Sequence, residues 1–291
     1  MRSPQRLRAA KPPFHKNVLV RHPVNPWIPL ASAQVRELCR LQPCVVMGRG
    51  HSGTRLVAWI CHHLGVQMGV DAVRPSGDPI DRSFQHHLRI VATRSLDVRK
   101  VRQLYYRDRN RFQKAVHGYY RRLGSPAGPW GWKFPEAYVI GPYVHDTFPS
   151  ARYIHLLRDG RDIAFKRHLT DVSEHRLARR ILHRQDALEL PHHLQAALSW
   201  ALQVELFTAF QSSLPPGRVL TIRYEQMVEH PHHVATEIAQ FLGVSMTEAC
   251  ESYIEREVSR SHAGQYRRED ALRVREVEER IGPTLRELNY L

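Results

Sequence analysis

Pro43-Cys-Val-Val-Met-Gly-Arg-Gly-His-Ser-Gly-Thr-Arg55 passes from an apolar run through a glycine-rich turn into an amphipathic segment. The run before Gly48 is too short for a helix and has the composition of a strand. From Thr54 to Leu64, the residues Leu56, Val57, Ile60, Cys61 and Leu64 recur at helical spacing, and Gly65 follows as a stop. The order is strand, turn, helix. Glycines let such a turn curl until several backbone N–H groups face one point. The helix that follows adds its free N–H groups and the positive end of its dipole. Ser52 and Thr54 contribute hydroxyls, and Arg49 and Arg55 contribute charge. Gly48 to Arg55 therefore reads as a cradle for a phosphate-like anion. The plainer reading, a Gly-Ser turn that only caps a helix, is weakened by the strand before it and the arginines within it.

The spacing of Gly48 and Gly53 is that of the Walker loop G-x-x-x-x-G-K-[S/T], but Thr54 stands where that motif needs its lysine. Magnesium-dependent hydrolysis of ATP or GTP is thereby disfavoured. A P-loop kinase of a small molecule remains the alternative reading, and no Walker-B aspartate after an apolar strand supports it.

Working outward, the strand-to-helix unit recurs. Ala151–Leu157 is a strand, Arg158-Asp-Gly160 a turn, and Arg161–His168 the start of a helix. Residues 95–123 and 192–213 have helical spacing, with a Gly/Pro loop at 124–129 between them. Arg218–Arg223 is a third strand, followed by a helix over 232–242 and a stop at Gly243. Strands separated by helices predict an α/β fold with a central parallel sheet flanked by helices. The turns after Met47, Leu157 and Arg223 should then converge on one crevice. The prolines and basic residues of positions 1–40 predict an irregular arm, and 41–291 a single domain.

The two loops together resemble the nucleotide-binding elements of sulfotransferases that use 3′-phosphoadenosine 5′-phosphosulfate (PAPS). The resemblance runs over about residues 42–290. It implies a P-loop-like sulfotransferase fold and a phosphosulfate cradle made by Arg49, Gly50, His51, Ser52, Gly53, Thr54 and Arg55. His51 occupies the position that is usually basic, so the loop's charge belongs to His51 or to Arg49 or Arg55. The run from Phe148 to Lys166 resembles the 3′-phosphate element, with Arg158 at the strand end and Lys166 where a serine is usual. The competing readings are an Asp162–Lys166 surface pair and an Arg158–Asp159 turn link. By the same resemblance, Tyr224 lies near the nucleotide, Arg267 touches phosphate from a C-terminal segment that closes over it, and Lys133 in Trp130–Pro135 points at the sulfate.

Sulfuryl transfer resembles phosphoryl transfer in leaving the protein to position and to stabilise charge. Lys133 and the loop fit that role, and no metal is implied. Asp78 is the candidate general base, with Glu136, His86 and Asp81 as alternatives. Asp78 reads equally as part of a Gly-Asp-Pro turn.

Bulk properties agree. Lys plus Arg number 43 against 28 acids, a net charge of +15. Such a balance favours anionic ligands without choosing among them. A basic nucleic-acid-binding protein is the third reading, but no finger, RNP-like run or aromatic-interleaved basic stripe appears, and nucleic acid is not expected as a partner. The expected acceptor is a carbohydrate or glycolipid, from the Arg/His/Tyr content of residues 66–125. The four cysteines form no C-x-x-C pair, and no run approaches the ~20 apolar residues of a membrane span. A cytoplasmic location is expected. The histidine pairs 62–63, 86–87, 192–193 and 232–233 read as surface composition.

Overall fold

The structure is a computed structural model that describes residues 24–69, 79–96, 102–259 and 262–291. The elements follow in the order α1 (Ser32–Arg40), β1 (Cys44–Gly48), α2 (Thr54–His63), α3 (Arg82–Ser95), α4 (Arg102–Arg122) and β2 (Gly131–Lys133). Then come α5 (Ala137–Thr147), β3 (Arg152–Leu157), α6 (Gly160–Ala164), α7 (Arg176–Arg184), α8 (His192–Gln211) and β4 (Val219–Arg223). The chain finishes with α9 (Tyr224–Glu229), α10 (Pro231–Leu242), α11 (Glu248–Glu257), a short 3-10 turn at Gln265–Arg268 and α12 (Ala271–Glu287).

The four strands form one parallel sheet in the order β2-β1-β3-β4. β1 is buried along its whole length, because β2 and β3 flank it and helices cover both faces. That is why its sequence is continuously apolar instead of alternating. Val45 and Met47 enter one core layer, with Tyr119, Trp132, Tyr143 and Phe148. Cys44 and Val46 enter the other, with Val57, Ile60, Ile222 and Ile238. A third cluster, centred on Trp200, seats α6 and α12 against α8.

After β1 the chain leaves to one side for β2 and later returns to the other side for β3. The loop after β1 thus lies at the point where strand order reverses, at the carboxyl ends of the strands. Open α/β sheets bind ligands at such a point. The parallel sheet and the convergence of the turns after β1, β3 and β4 agree with the sequence. Two readings change. Residues 32–40, expected to be irregular, form α1, whose Leu38 is fully buried. The helix after Gly160 stops at Ala164, well short of His168.

Candidate active site

The loop between β1 and α2 is held in shape by its backbone. Gly48 N donates to Pro135 O (3.0 Å), which ties the loop to the segment leaving β2. His51 and Gly53 both have left-handed φ, 70° and 94°. A Cβ on Gly53 would lie 2.7 Å from the Tyr224 ring, and one on Gly50 would lie 2.2 Å from the ring of His168. Only glycine fits at these two places. His51 carries a side chain in strained backbone, and two bonds hold it there. Its Nε2 is 2.7 Å from Arg167 O, and its carbonyl accepts from Arg158 Nη1 at 2.8 Å.

A cavity of about 570 Å³ opens above this loop. Gly50, His51, Gly53, Thr54 and Arg55 line one wall. Arg158, Lys166 and Tyr224 line it as well, Arg158 and Tyr224 packed against the loop, and Lys133 reaches in from the end of β2. Nine of the residues singled out in the sequence therefore meet in one place, from four separate segments. Three do not line it. Arg49 is buried and paired with Asp171. Ser52 is fully buried, and its hydroxyl has no hydrogen-bond partner. Arg267 rests with its guanidinium 5.3 Å from the Tyr266 ring. Asp78 lies outside the described residues.

Arg158 is the hub of the cavity wall. Its Nε and Nη2 donate to Asp162 Oδ2 at 3.2 and 2.9 Å, and Nη2 also donates to His262 O. Its guanidinium lies 4.2 Å from the Tyr224 ring centroid. Asp162 in turn accepts from the backbone N–H groups of Gly264 and Tyr266, both at 2.9 Å. One buried carboxylate thus clasps the end of β3 to the segment 262–268. This replaces both pairings read from the sequence. Asp162 partners Arg158, while Lys166 donates to Gln265 Oε1. Asp159 caps α6 and pairs with Arg161, not with Arg158.

Two imidazoles at the loop, His168 and His51, are pushed toward their neutral forms. Burial, then the cations around it beginning with Arg49, push His168 down to about 2. Burial is also the leading cause that lowers His51, opposed by its bond to the Arg167 carbonyl. The positive charge of the cavity is carried by arginine and lysine side chains.

Behind Lys133 lies Glu136, fully enclosed, with Oε1 lacking a hydrogen-bond partner and His168 Nε2 3.8 Å away. Burial raises its pKa against the pull of Arg89, Lys133 and Arg49. The other candidate bases lie elsewhere. Asp81 caps α3 through Phe84 N (2.8 Å) and pairs with Arg122 (2.7 Å). His86 lines a different cavity. Of the paired histidines, His87 and His193 are buried, and His193 bonds to Glu276 at 2.6 Å, so surface composition does not describe them. Asp162, Asp171 and His168 were not singled out as site residues. The i, i+4 spacing of Arg158 and Asp162 is the one local signal that points to any of them.

Among the described residues no group of histidine, cysteine or acidic side chains is placed to hold a metal, and no helix is long and apolar enough to cross a membrane.

Residues 43–248 match the model of the sulfotransferase family. The chain belongs to that family, a family of transferase enzymes. Over 126 residues it is 26% identical to a protein-tyrosine sulfotransferase of Drosophila melanogaster, a stretch that is 43% of this chain and 23% of that protein. The chain thus spans about a quarter of that curated relative. In fold it is similar to sulfotransferase STF9 of Mycobacterium avium, with a TM-score of 0.54 and 14% identity over 88% of this chain and 79% of that one. It is also similar to sulfotransferase STF1 of Mycobacterium tuberculosis, with a TM-score of 0.51 and 13% identity over 86% and 78% of the two chains.

Proposed function

We propose that this protein transfers a sulfuryl group from PAPS to a hydroxyl or amine of an acceptor, with a carbohydrate or glycolipid as the acceptor class. The observation that carries the reading is the single cavity in which the β1 loop, Arg158 and Lys133 meet. The fit to the donor rests on three features. Gly50 and Gly53 give the loop its closely packed curl, with their backbone lining the cavity. The buried, unpartnered Ser52 hydroxyl belongs to the same loop. Arg158 and Lys166 bring cations to the same cavity from the end of β3 and from beyond α6, as a nucleotide with a second anionic group requires.

In this reaction the acceptor oxygen or nitrogen attacks sulfur and the bond from sulfur to the 5′-phosphate oxygen breaks. The acceptor proton passes to a base, and 3′,5′-diphosphoadenosine leaves. Lys133 stabilises charge developing on the bridging oxygen. The proposed base remains Asp78. Among the described alternatives, Glu136 has support from its placement beside Lys133 and from its raised pKa.

Thermal shift tests the donor assignment. 3′,5′-Diphosphoadenosine should stabilise the protein well beyond AMP or ATP, by about 2.7 kcal/mol at a hundredfold excess over Kd. Equal stabilisation by ATP with magnesium would transfer the reading to a kinase.

A pH profile tests the base. A glutamate base works ionised, so kcat rises with pH through its pKa. If Glu136 is the base, that limb lies above the ordinary glutamate range, and Glu136→Gln removes it. A limb left in place by the substitution assigns proton removal elsewhere, Asp78 first.

A further inference from the structure

A second and larger cavity, about 860 Å³, opens where α3, α4 and α7 meet. Its walls carry Arg89, Arg94, Arg111, Arg176, Arg179 and Arg180, and no carboxylate lines it among the described residues. The pattern behind this is regular. On α7, Arg176, Arg179, Arg180 and His183 stand at i, i+3, i+4 and i+7, while Leu177, Ala178, Ile181 and Leu182 are buried, Leu177 at the base of the same cavity. On α3, His86, Arg89, Ile90, Thr93 and Arg94 occupy the same kind of stripe.

A basic stripe on a helix ordinarily faces open water. Here two of them face one recess, and like charges brought together oppose each other. Asp108, buried behind the wall, takes Arg94 at 3.3 Å but shares its charge with Arg107. Arg111 sits deeper, its Nε without a hydrogen-bond partner. Burial first, then Arg94, pulls its pKa down. Arg89, Arg176, Arg179 and Arg180 are exposed at its mouth, and an anion entering the recess meets all of these cations together.

The recess also has an apolar floor, made by Ile90, Leu169, Leu177 and Leu188. It adjoins the site already described. Arg89 donates to Gln85 Oε1 (3.4 Å), and Gln85 donates to the carbonyl of Lys133 (2.9 Å). His168 lines the donor cavity and the next residue, Leu169, lines this one.

We infer that this recess is the acceptor site, and that the acceptor is an anionic amphiphile: a sugar head already bearing a carboxylate or sulfate, joined to an apolar body. The inference rests on the sulfotransferase reading for the hydroxyl that reacts, but not for the binding. The arginines hold the existing anion, the leucines take the apolar body, and a free hydroxyl of the head is left toward Lys133. An acidic peptide satisfies the arginines but leaves the leucine floor without a use.

Calorimetric titration of the full chain, without donor, tests this. Octyl β-glucuronide and octyl β-glucoside differ at one position, a carboxylate against a hydroxymethyl group. The glucuronide should bind about tenfold tighter or more. The double variant Arg176→Gln/Arg179→Gln, both exposed on α7, should erase that difference and leave 3′,5′-diphosphoadenosine binding intact. Equal binding of the two glycosides overturns the inference, as does a preference that survives the double variant. Glucuronate lacking the alkyl chain, if it binds as tightly, overturns the apolar half. A poly-glutamate peptide that binds as well and displaces the glucuronide reassigns the recess to acidic peptides. Loss of 3′,5′-diphosphoadenosine binding from the parent protein, with the glucuronide preference intact, rejects sulfuryl transfer while this recess stands.

Discussion

Asp162→Ala is expected to destabilise the protein by about 3–5 kcal/mol, the range for breaking a buried ion pair from one side. Arg158 and Asp162 are both buried, and among the described residues Asp162 is the carboxylate that neutralises that guanidinium at short range. Removing it leaves Arg158 enclosed with two carbonyl partners and no counter-charge. The N–H groups of Gly264 and Tyr266 lose their acceptor in the same step. Urea unfolding measures the loss. Asp162→Asn keeps an acceptor oxygen and removes the charge, so it separates the two contributions and should fall between parent and alanine variant. A loss below about 1 kcal/mol, the scale of a surface pair, would place the pair in open solvent and defeat this account. If Arg158 holds the donor as proposed, nucleotide affinity should fall with stability, because Arg158 is the residue set adrift.

The second large effect belongs to the reaction rate. Lys133→Ala should lower kcat by about 10²–10³-fold, the usual cost of removing one preorganised donor at a developing negative charge. Lys133 is buried at the end of β2, and its neighbours Trp132 and Phe134 belong to the core. The position is rigid, so the alanine variant should fold. Its affinity for 3′,5′-diphosphoadenosine, measured by titration, should change little, because the group acts on the bond that breaks. A large drop in that affinity with kcat preserved would mean that Lys133 only binds the nucleotide.

The sheet was legible because its strands obey local rules. Cys44–Met47 is wholly apolar and Tyr153–Leu157 is apolar but for the buried His155, without alternation, which marks central parallel strands covered on both faces. The glycine turn after β1 was legible for a similar reason, since its backbone chemistry depends on glycine itself. The edge strand β2 was harder, being only Gly131–Lys133. α1 was hidden by the prolines before it. In the site, the partners of the cations could not be read. Arg49 was expected to face the anion, but Asp171, 122 positions away, draws it inward. The expected Asp162–Lys166 pair yields to Arg158, because the end of β3 and the start of α6 turn the two side chains together. Such choices follow from where the chain returns in space, and spacing along the sequence does not carry them. The six arginines of the second cavity show the converse. Their helical stripes are plain in the sequence, yet that two stripes share one recess emerges only once α3 packs on α7.

The clasp made by Asp162 has a bearing on how the protein is made. It joins positions 102 residues apart. As the polypeptide leaves the ribosome, the four strands emerge first, and the sheet with its glycine turn can assemble. Until residues 262–266 follow, Arg158 has no His262 carbonyl, and Asp162 has no backbone donors from that segment. The wall of the cavity that carries Arg158 is therefore secured only after residue 266 has emerged. A ribosome-stalled chain ending before residue 262 also lacks α12 and its share of the Trp200 cluster, so it should form the sheet and still fail to retain 3′,5′-diphosphoadenosine.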